Sequence, residues 1–349
     1  MRKRTHSRKA PLRLGFVALA DCAPLIMAQE LGIFAQHGLD VELHRELGWA
    51  TVRDKIIYGQ LDAAVAPAGL LVGINCGLGC APVACVSGLV INLHGNAITL
   101  SQELWRSGVR DGATLRSELQ RSGRAHVFGV VHQYSSHHIL LRHWLLEHGI
   151  VPGRDVQIVV VPPAQLAANL KAGHLSGYCV GEPWNSLAVM QKTGWCVAIT
   201  AELAPGHMEK VLMVRADFAD RAHAEHLALI AALLEACAYC DEVVNREEIA
   251  AVLAQPQFVG VPINVLQNSL VGPFQLGNGR VSDADDFHVF SRNEANEPTQ
   301  DRAEWLIDNL HRSGITRDHA RVSIDRAAQW FRADLFQEAT QLVNAGTHL

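Results

Sequence analysis

No run of apolar residues in this chain approaches the ~20 needed to cross a bilayer, although 49% of its 349 residues are hydrophobic. A membrane-spanning protein is not expected, whereas a buried globular core is. Catalytic and phosphate-binding signatures are missing too. There is no GxxxxGK[ST] loop, no HExxH helix and no GxSxG elbow. Gly77-Leu78-Gly79 is a lone GxG with no helix start behind it. His137 and His138 adjoin, but neighbours on a helix diverge, so they do not form a two-ligand metal pair. Neither a metal nor a cofactor is expected.

Positive charge is also short. The formal net charge of -5 gives no nucleic-acid footprint for the chain as a whole. Basic residues gather only at the start, where Arg2, Lys3, Arg4, Arg8, Lys9 and Arg13 stand close together. Residues 1–11 read as a solubilising basic arm rather than a binding one.

"FVALADCAPL", Phe16 to Leu25, looks at first like the end of a lipoprotein leader. A secretory leader needs ~7–15 uninterrupted apolar residues after its basic region. Arg13 interrupts here, only Phe16 to Ala20 run apolar before Asp21, and Asp21 replaces the small residue wanted before Cys22. The stretch therefore reads as a core strand and its following loop, and the expected location is cytoplasmic. The eight cysteines fit that reading as small buried thiols. Even Cys237 and Cys240, with CxxC spacing, fall inside a helical pattern.

What is present is an alternation of strands and helices. "LRLGFVAL" suits a buried parallel strand, and Pro24 suits the first turn of a helix ending near Gly32. "LDVELHRE" alternates as a strand with Val41 and Leu43 inward. Thr51 is placed to cap a helix reaching Tyr58, and "LDAAVAP" is the next strand. The phrase "DKIIYGQLDAAVAP" is echoed by "ANLKAGHLSGYCVGEP", which suggests two similar lobes. "DVQIVVVPP" and "VLMVRADF" read as strands and "SSHHILLRHWLLEHGI" as a helix. The C-terminal third reads as mainly helical, through "HAEHLALIAALLEACAYC", "DRAEWLIDNLHRSGI" and "AAQWFRADLFQEATQLVNAG". The expected architecture is α/β and two-lobed. Lobe 1 comprises residues 12–97 plus 203–349, lobe 2 residues 98–202, with a ligand cleft between them.

Candidate ligand contacts lie near element ends, where open α/β sheets bind their ligands. They are Trp49, Asn96, His137 and Lys210. Taken singly, each also reads as structural: core packing, a turn former, a cap histidine and a solvated charge.

Together, "GFVALADCAPLIMAQELGIFAQHGLDVEL", "WATVRDKIIYGQLDAAVAP", "NLHGNAITL", "VVVPPAQLAANLKAGHLSGYCVGEPWN" and "GHMEKVLMV" resemble the nitrate and bicarbonate solute-binding family of bacterial ABC transporters. The resemblance runs from about Leu12 to Arg215, with a weaker echo at "FHVFSRNEANEP". Within that family it is nearest to soluble sensors of the NasS type. It implies a periplasmic-binding-protein-like (type II) fold and an anion site. The family's aromatic contact falls on Trp49, its amide position (usually a glutamine) on Asn96, its histidine on His137 and its basic residue on Lys210. Bicarbonate binders look acidic at that last position, so Lys210 favours nitrate or nitrite. Glu209 and Glu182 are expected to point away from an anion or to be paired. The function implied is a cytoplasmic nitrate/nitrite sensor, not an enzyme, whose partner is a NasT-like RNA-binding antiterminator. The sensor itself would contact neither nucleic acid nor membrane. The alternatives are a receptor for a nitrate/nitrite ABC transporter, and an enzyme on the same scaffold with Cys179 as its only mild candidate.

Overall fold

A computed structural model describes residues 10–283, 286–315, 329–344 and 346. Most of the basic arm, residues 1–9, thus lies outside the described residues. Two mixed sheets form the frame. The first contains β1 (Leu12–Val17), β2 (Val41–Glu46), β3 (Ala63–Pro67), β4 (Cys85–Val86), β5 (Val90–His94), β11 (Met208–Arg215) and β14 (His288–Val289). Its main order is β14-β5-β11-β3-β1-β2, with β4 also on β11. The second contains β6 (Asn96–Ser101), β7 (Val127–Val130), β8 (Gln157–Val160), β9 (Gly177–Gly181) and β10 (Gly194–Ile199), in the order β10-β6-β9-β7-β8.

The apolar runs explain which strands are central. Every residue of β3, β5, β6 and β9 is buried, as expected for strands covered on both faces. At the edge of the second sheet β8 is largely exposed. The repeated phrase is repeated structure: helix Trp49–Ile57 leads into β3, and helix Pro163–Lys171 leads into β9. Pro24 lies in the first turn of helix Ala23–Glu30, as its fixed φ favours.

Two expectations need correcting. Thr51 does not cap its helix. That helix begins at Trp49 behind an extended Gly48, because burying the indole draws the first turn back by three residues. The C-terminal third is helical over His223–Asp241, Gln300–Arg312 and Ala333–Asn344, but it also adds strands. β12 (Phe274–Gly277) and β13 (Arg280–Ser282) form a hairpin whose β12 packs on β10, and β14 completes the first sheet. Ala327 and Ala328 of the last expected helix lie outside the described residues. Its Phe331 instead makes a β-bridge to Ser87 before the helix starts.

The chain passes from the first sheet to the second at His94-Gly95, both left-handed with φ of 58° and 87°. A Cβ on Gly95 would lie 2.5 Å from the His288 ring, so only glycine fits this turn. Nearby, Gly69 and Gly73 of helix Ala68–Asn75 let Tyr134 of the second lobe press against the helix backbone. A Cβ on Gly69 would sit 1.8 Å from the Tyr134 carbonyl oxygen. Trp184 Nε1 donates to Ala18 O at 3.0 Å, and Ala20 N donates to Glu182 O at 2.7 Å. The lobes are in close contact.

Candidate functional site

Three local features carry side chains into the seam between the sheets. Asn96 opens β6 directly after the His94-Gly95 crossing. His137 lies in the first turn of helix Ser136–Glu147, whose Ser135 cap accepts the His138 N–H. On the returning strand β11, pairing with β5 shifts register between Met208 and Lys210 and again at Val211. Such a bulge turns consecutive side chains out of strict alternation. Glu209 and Lys210 therefore reach the same place, with their charged groups 2.6 Å apart.

All four residues expected from the sequence meet there. Lys210 Nζ lies 5.5 Å from the centre of the Trp49 ring. His137 Nε2 is 2.8 Å from Asn96 Oδ1, and Asn96 Nδ2 donates to Glu209 Oε2 at 2.7 Å. Because Asn96 Oδ1 can only accept, His137 carries its proton on Nε2. Among the described residues its Nδ1 has no hydrogen-bond partner, nor does Trp49 Nε1.

Glu209 does not point away from the site. It is turned in and paired: Lys210 and Ser136 donate to it, and His137 Nε2 and His207 Nε2 stand 3.4 and 3.5 Å away. Lys210 Nζ also donates to Asp21 Oδ2 at 2.7 Å. Asn96, His137, Glu209 and Lys210 have no exposed surface. A solute reaches them only when the lobes part. Sequence reasoning missed Asp21, Ser136 and His207 as members of this cluster. His207 stands two residues before Glu209 in the same phrase, which was a usable signal. Asp21 is brought in only by tertiary structure.

Burial and charge oppose each other throughout. Burial raises the Glu209 carboxyl, but Lys210 and then His137 outweigh it and hold the group well below the usual carboxylate range. Burial raises Asp21, and its attraction to Lys210 offsets this only in part. Burial works against the Lys210 charge, yet Asp21 and Glu209 together leave its pKa raised. Burial pushes His137 down to about 3, so its ring is neutral. Glu182 stands clear of the Lys210 contacts; it accepts from Ser186 N, and burial pushes it up to about 7. Cys179 is fully buried in β9, and burial drives its thiol far up, so it presents no thiolate nucleophile. Among the described residues, no group of three or more His, Cys, Asp or Glu is placed to hold a metal ion.

This arrangement can hold a small planar anion between a cation, directional N–H donors and an indole wall. The sequence model of the NMT1-like family matches residues 5–254. The chain belongs to the NMT1-like family. Within reach of that family, it is 38% identical over 335 residues to the nitrate import ATP-binding protein NrtC of Synechocystis sp. (strain ATCC 27184 / PCC 6803 / Kazusa), covering 95% of the chain and 50% of that protein. It is 40% identical over 313 residues to the bicarbonate transport ATP-binding protein CmpC of Synechococcus elongatus, covering 88% of the chain and 46% of that protein. The chain thus spans about half the length of these two relatives. It is 30% identical over 352 residues to the nitrate/nitrite binding protein NrtA of Synechococcus elongatus, covering 95% of the chain and 77% of that protein. The crystal structure of the periplasmic nitrate-binding protein NrtA from Synechocystis PCC 6803 superposes with a TM-score of 0.91 at 28% identity. That match covers 97% of this chain and 90% of the other. The fold is the two-lobed α/β architecture of periplasmic binding proteins, as the sequence led us to expect.

Proposed function

We propose that this protein binds nitrate or nitrite in the seam between its lobes and acts as a binding protein rather than a catalyst. The observation that carries this reading is the convergence of Trp49, Asn96, His137 and Lys210, from four separate elements, on one buried point. Lys210 supplies the full charge, Asn96 turns its Nδ2 donor from Glu209 to the anion, His137 Nε2–H holds the Asn96 amide in that orientation, and Trp49 walls off one face. The two lobes, drawn from the sequence as 12–97 plus 203–349 and 98–202 but with Asn96 and Ala97 of β6 belonging to the second sheet, open to admit the ligand and close on it. Titration calorimetry with nitrate, nitrite and bicarbonate tests the proposal. Binding of nitrate or nitrite tighter than bicarbonate is the expected result, and heat from bicarbonate alone overturns it.

What the binding event serves is a second step. We infer a cytoplasmic sensor that holds a NasT-like antiterminator when empty and releases it when the anion closes the lobes. The ligand acts by its differential affinity for the two forms. A matching segment makes up about half of NrtC and CmpC, both named as ATP-binding transport components. ATP-binding components work where ATP is, so a linked module would read the anion on that side. The competing reading, a receptor feeding a transporter, draws on the likeness to periplasmic NrtA. Cell fractionation separates the two: recovery outside the cytosolic membrane sinks the sensor. If the sensor reading holds, bound partner must weaken anion affinity by the same factor that the anion weakens partner binding.

A further inference from the structure

The site is already occupied by its own carboxylates. Asn96 Nδ2, Ser136 Oγ and Lys210 Nζ all donate to Glu209, and Lys210 Nζ is shared with Asp21. A carboxylate is flat and delocalised over two oxygens, so Glu209 fills the role an arriving oxyanion would fill. Two carboxylates already face one ammonium, with all three side chains almost wholly withdrawn from water. A bound anion would set three negative charges around Lys210. Uncompensated charge of that kind is not tolerated in a desolvated interior.

We propose that anion binding carries a proton with it: the ligand takes a place on Lys210 Nζ, and the Asp21–Glu209 carboxylate pair takes up one proton from solution. The inference rests on the anion-binding reading given above. The balance is simple: protein, anion and proton combine, and no covalent bond between heavy atoms changes. Asp21 Oδ1 has no hydrogen-bond partner among the described residues and can receive the proton. Burial already favours the neutral form of Asp21, so this member of the pair is the one that protonates. The Asp21 carboxyl would then be a donor, able to point its O–H at the anion or at Glu209.

Titratable groups from several elements face the pair. Lys210, His137, His207, His94 and Cys179 act on Glu209, and Lys210, Glu209 and Cys22 act on Asp21. His288 acts on the same lysine from β14, and Glu182 follows Gly181, where a Cβ would lie 3.5 Å from Asp21 Oδ2. Lys210 is the only lysine or arginine among these groups.

The test is calorimetry of the intact chain with nitrate at one pH in phosphate and in Tris, buffers with very different heats of ionisation. The expected result is a buffer-dependent heat corresponding to about one proton taken up, with affinity falling up to about tenfold per pH unit as pH rises. Asp21→Asn and Glu209→Gln should each flatten that dependence, whereas His174→Asn, on the exposed surface away from the site, should leave it in place. Nitrate binding with a buffer-independent heat and a flat pH profile overturns the proton coupling while leaving anion binding intact. So does coupling that survives Asp21→Asn and Glu209→Gln together, or binding that requires an added metal cation. Absence of nitrate and nitrite binding at every pH overturns the anion-binding reading itself, and this inference with it.

Discussion

Replacing Lys210 by methionine keeps the length and much of the volume of the side chain against Trp49 but removes its charge. In the native protein that ammonium bridges Asp21 Oδ2 at 2.7 Å and Glu209 Oε1 at 2.6 Å, with no exposed surface of its own. Its loss leaves two buried carboxylates facing each other across an apolar side chain. Breaking a buried ion pair in this way costs about 3–5 kcal/mol, mainly because charge is left uncompensated. Unfolding entropy of ~2.1 cal/mol/K per residue gives about 0.7 kcal/mol/K for a chain of this length, so the melting temperature should fall by about 4–7 °C at pH 7. The pH dependence has a definite sign. Lys210 holds Glu209 below its unfolded value, and that contribution is present above the ordinary carboxylate range and lost as pH falls through the depressed value. The deficit of Lys210→Met should therefore narrow on acidification, as the stranded carboxylates protonate. The triple variant Lys210→Met, Asp21→Asn, Glu209→Gln should recover most of the lost temperature, since no charge remains to be compensated. Scanning calorimetry at pH 7 and pH 5 is the assay. A melting temperature within about 1 °C of the parent at pH 7 would refute the reasoning.

Gly69→Ala sets a Cβ 1.8 Å from Tyr134 O, a backbone atom that cannot swing aside. It should hold the lobes apart, enlarge the radius of gyration in solution scattering and lower anion affinity. Gly73→Ala meets only the Tyr134 ring, at 2.8 Å, and should be milder; equal effects would contradict this account. Burial pushes His94, His132, His138 and His226 down to about 4, and His137 and His288 to about 3. Stability from these uncharged rings is present above the unfolded value of 6.5 and lost as pH falls, at up to about 1.4 kcal/mol per pH unit for each. Denaturant melts at pH 7.5 and 5.5 should differ accordingly. Glu182 has the opposite sign: raised from 4.5 to about 7, it costs stability as pH climbs through that window. Glu182→Gln should remove this slope, so its melting temperature relative to the parent should rise between pH 5 and pH 8.

Much of the frame was legible because it is written in local pattern. The buried runs around Phe16, Val65 and Val180 and the repeated helix-to-strand phrase pointed to two α/β lobes, and Pro24 marked its helix. The hairpin at Phe274–Ser282 was missed although its Asn278-Gly279 pair, with φ of 53° and 77°, is the composition a two-residue type I′ turn requires. β14 is only two residues long and exists because β5 offers it an edge, which no local pattern announces. At the site, sequence placed the four residues that converge but not the orientation of Glu209. Strict strand alternation would send Glu209 and Lys210 to opposite faces. The register shift that overrides this depends on β5, more than a hundred residues upstream.

The hairpin and the helix Gln300–Arg312 change the mechanics of the molecule. Besides the His94-Gly95 crossing and the return into β11, β12 rests on β10 while β14 belongs to the opposite sheet. The helix touches both lobes: Arg142 Nε donates to Ser313 O just past its end, and the Trp305 ring stands 5.6 Å from that of His207. A joint strapped at several points resists twist and shear, and leaves a single soft rotation. If the lobes open and close as proposed, one angle would then describe the protein's state. Trp305, half-buried on that helix, would carry the angle outward, where a molecule that never meets the ligand could gauge it.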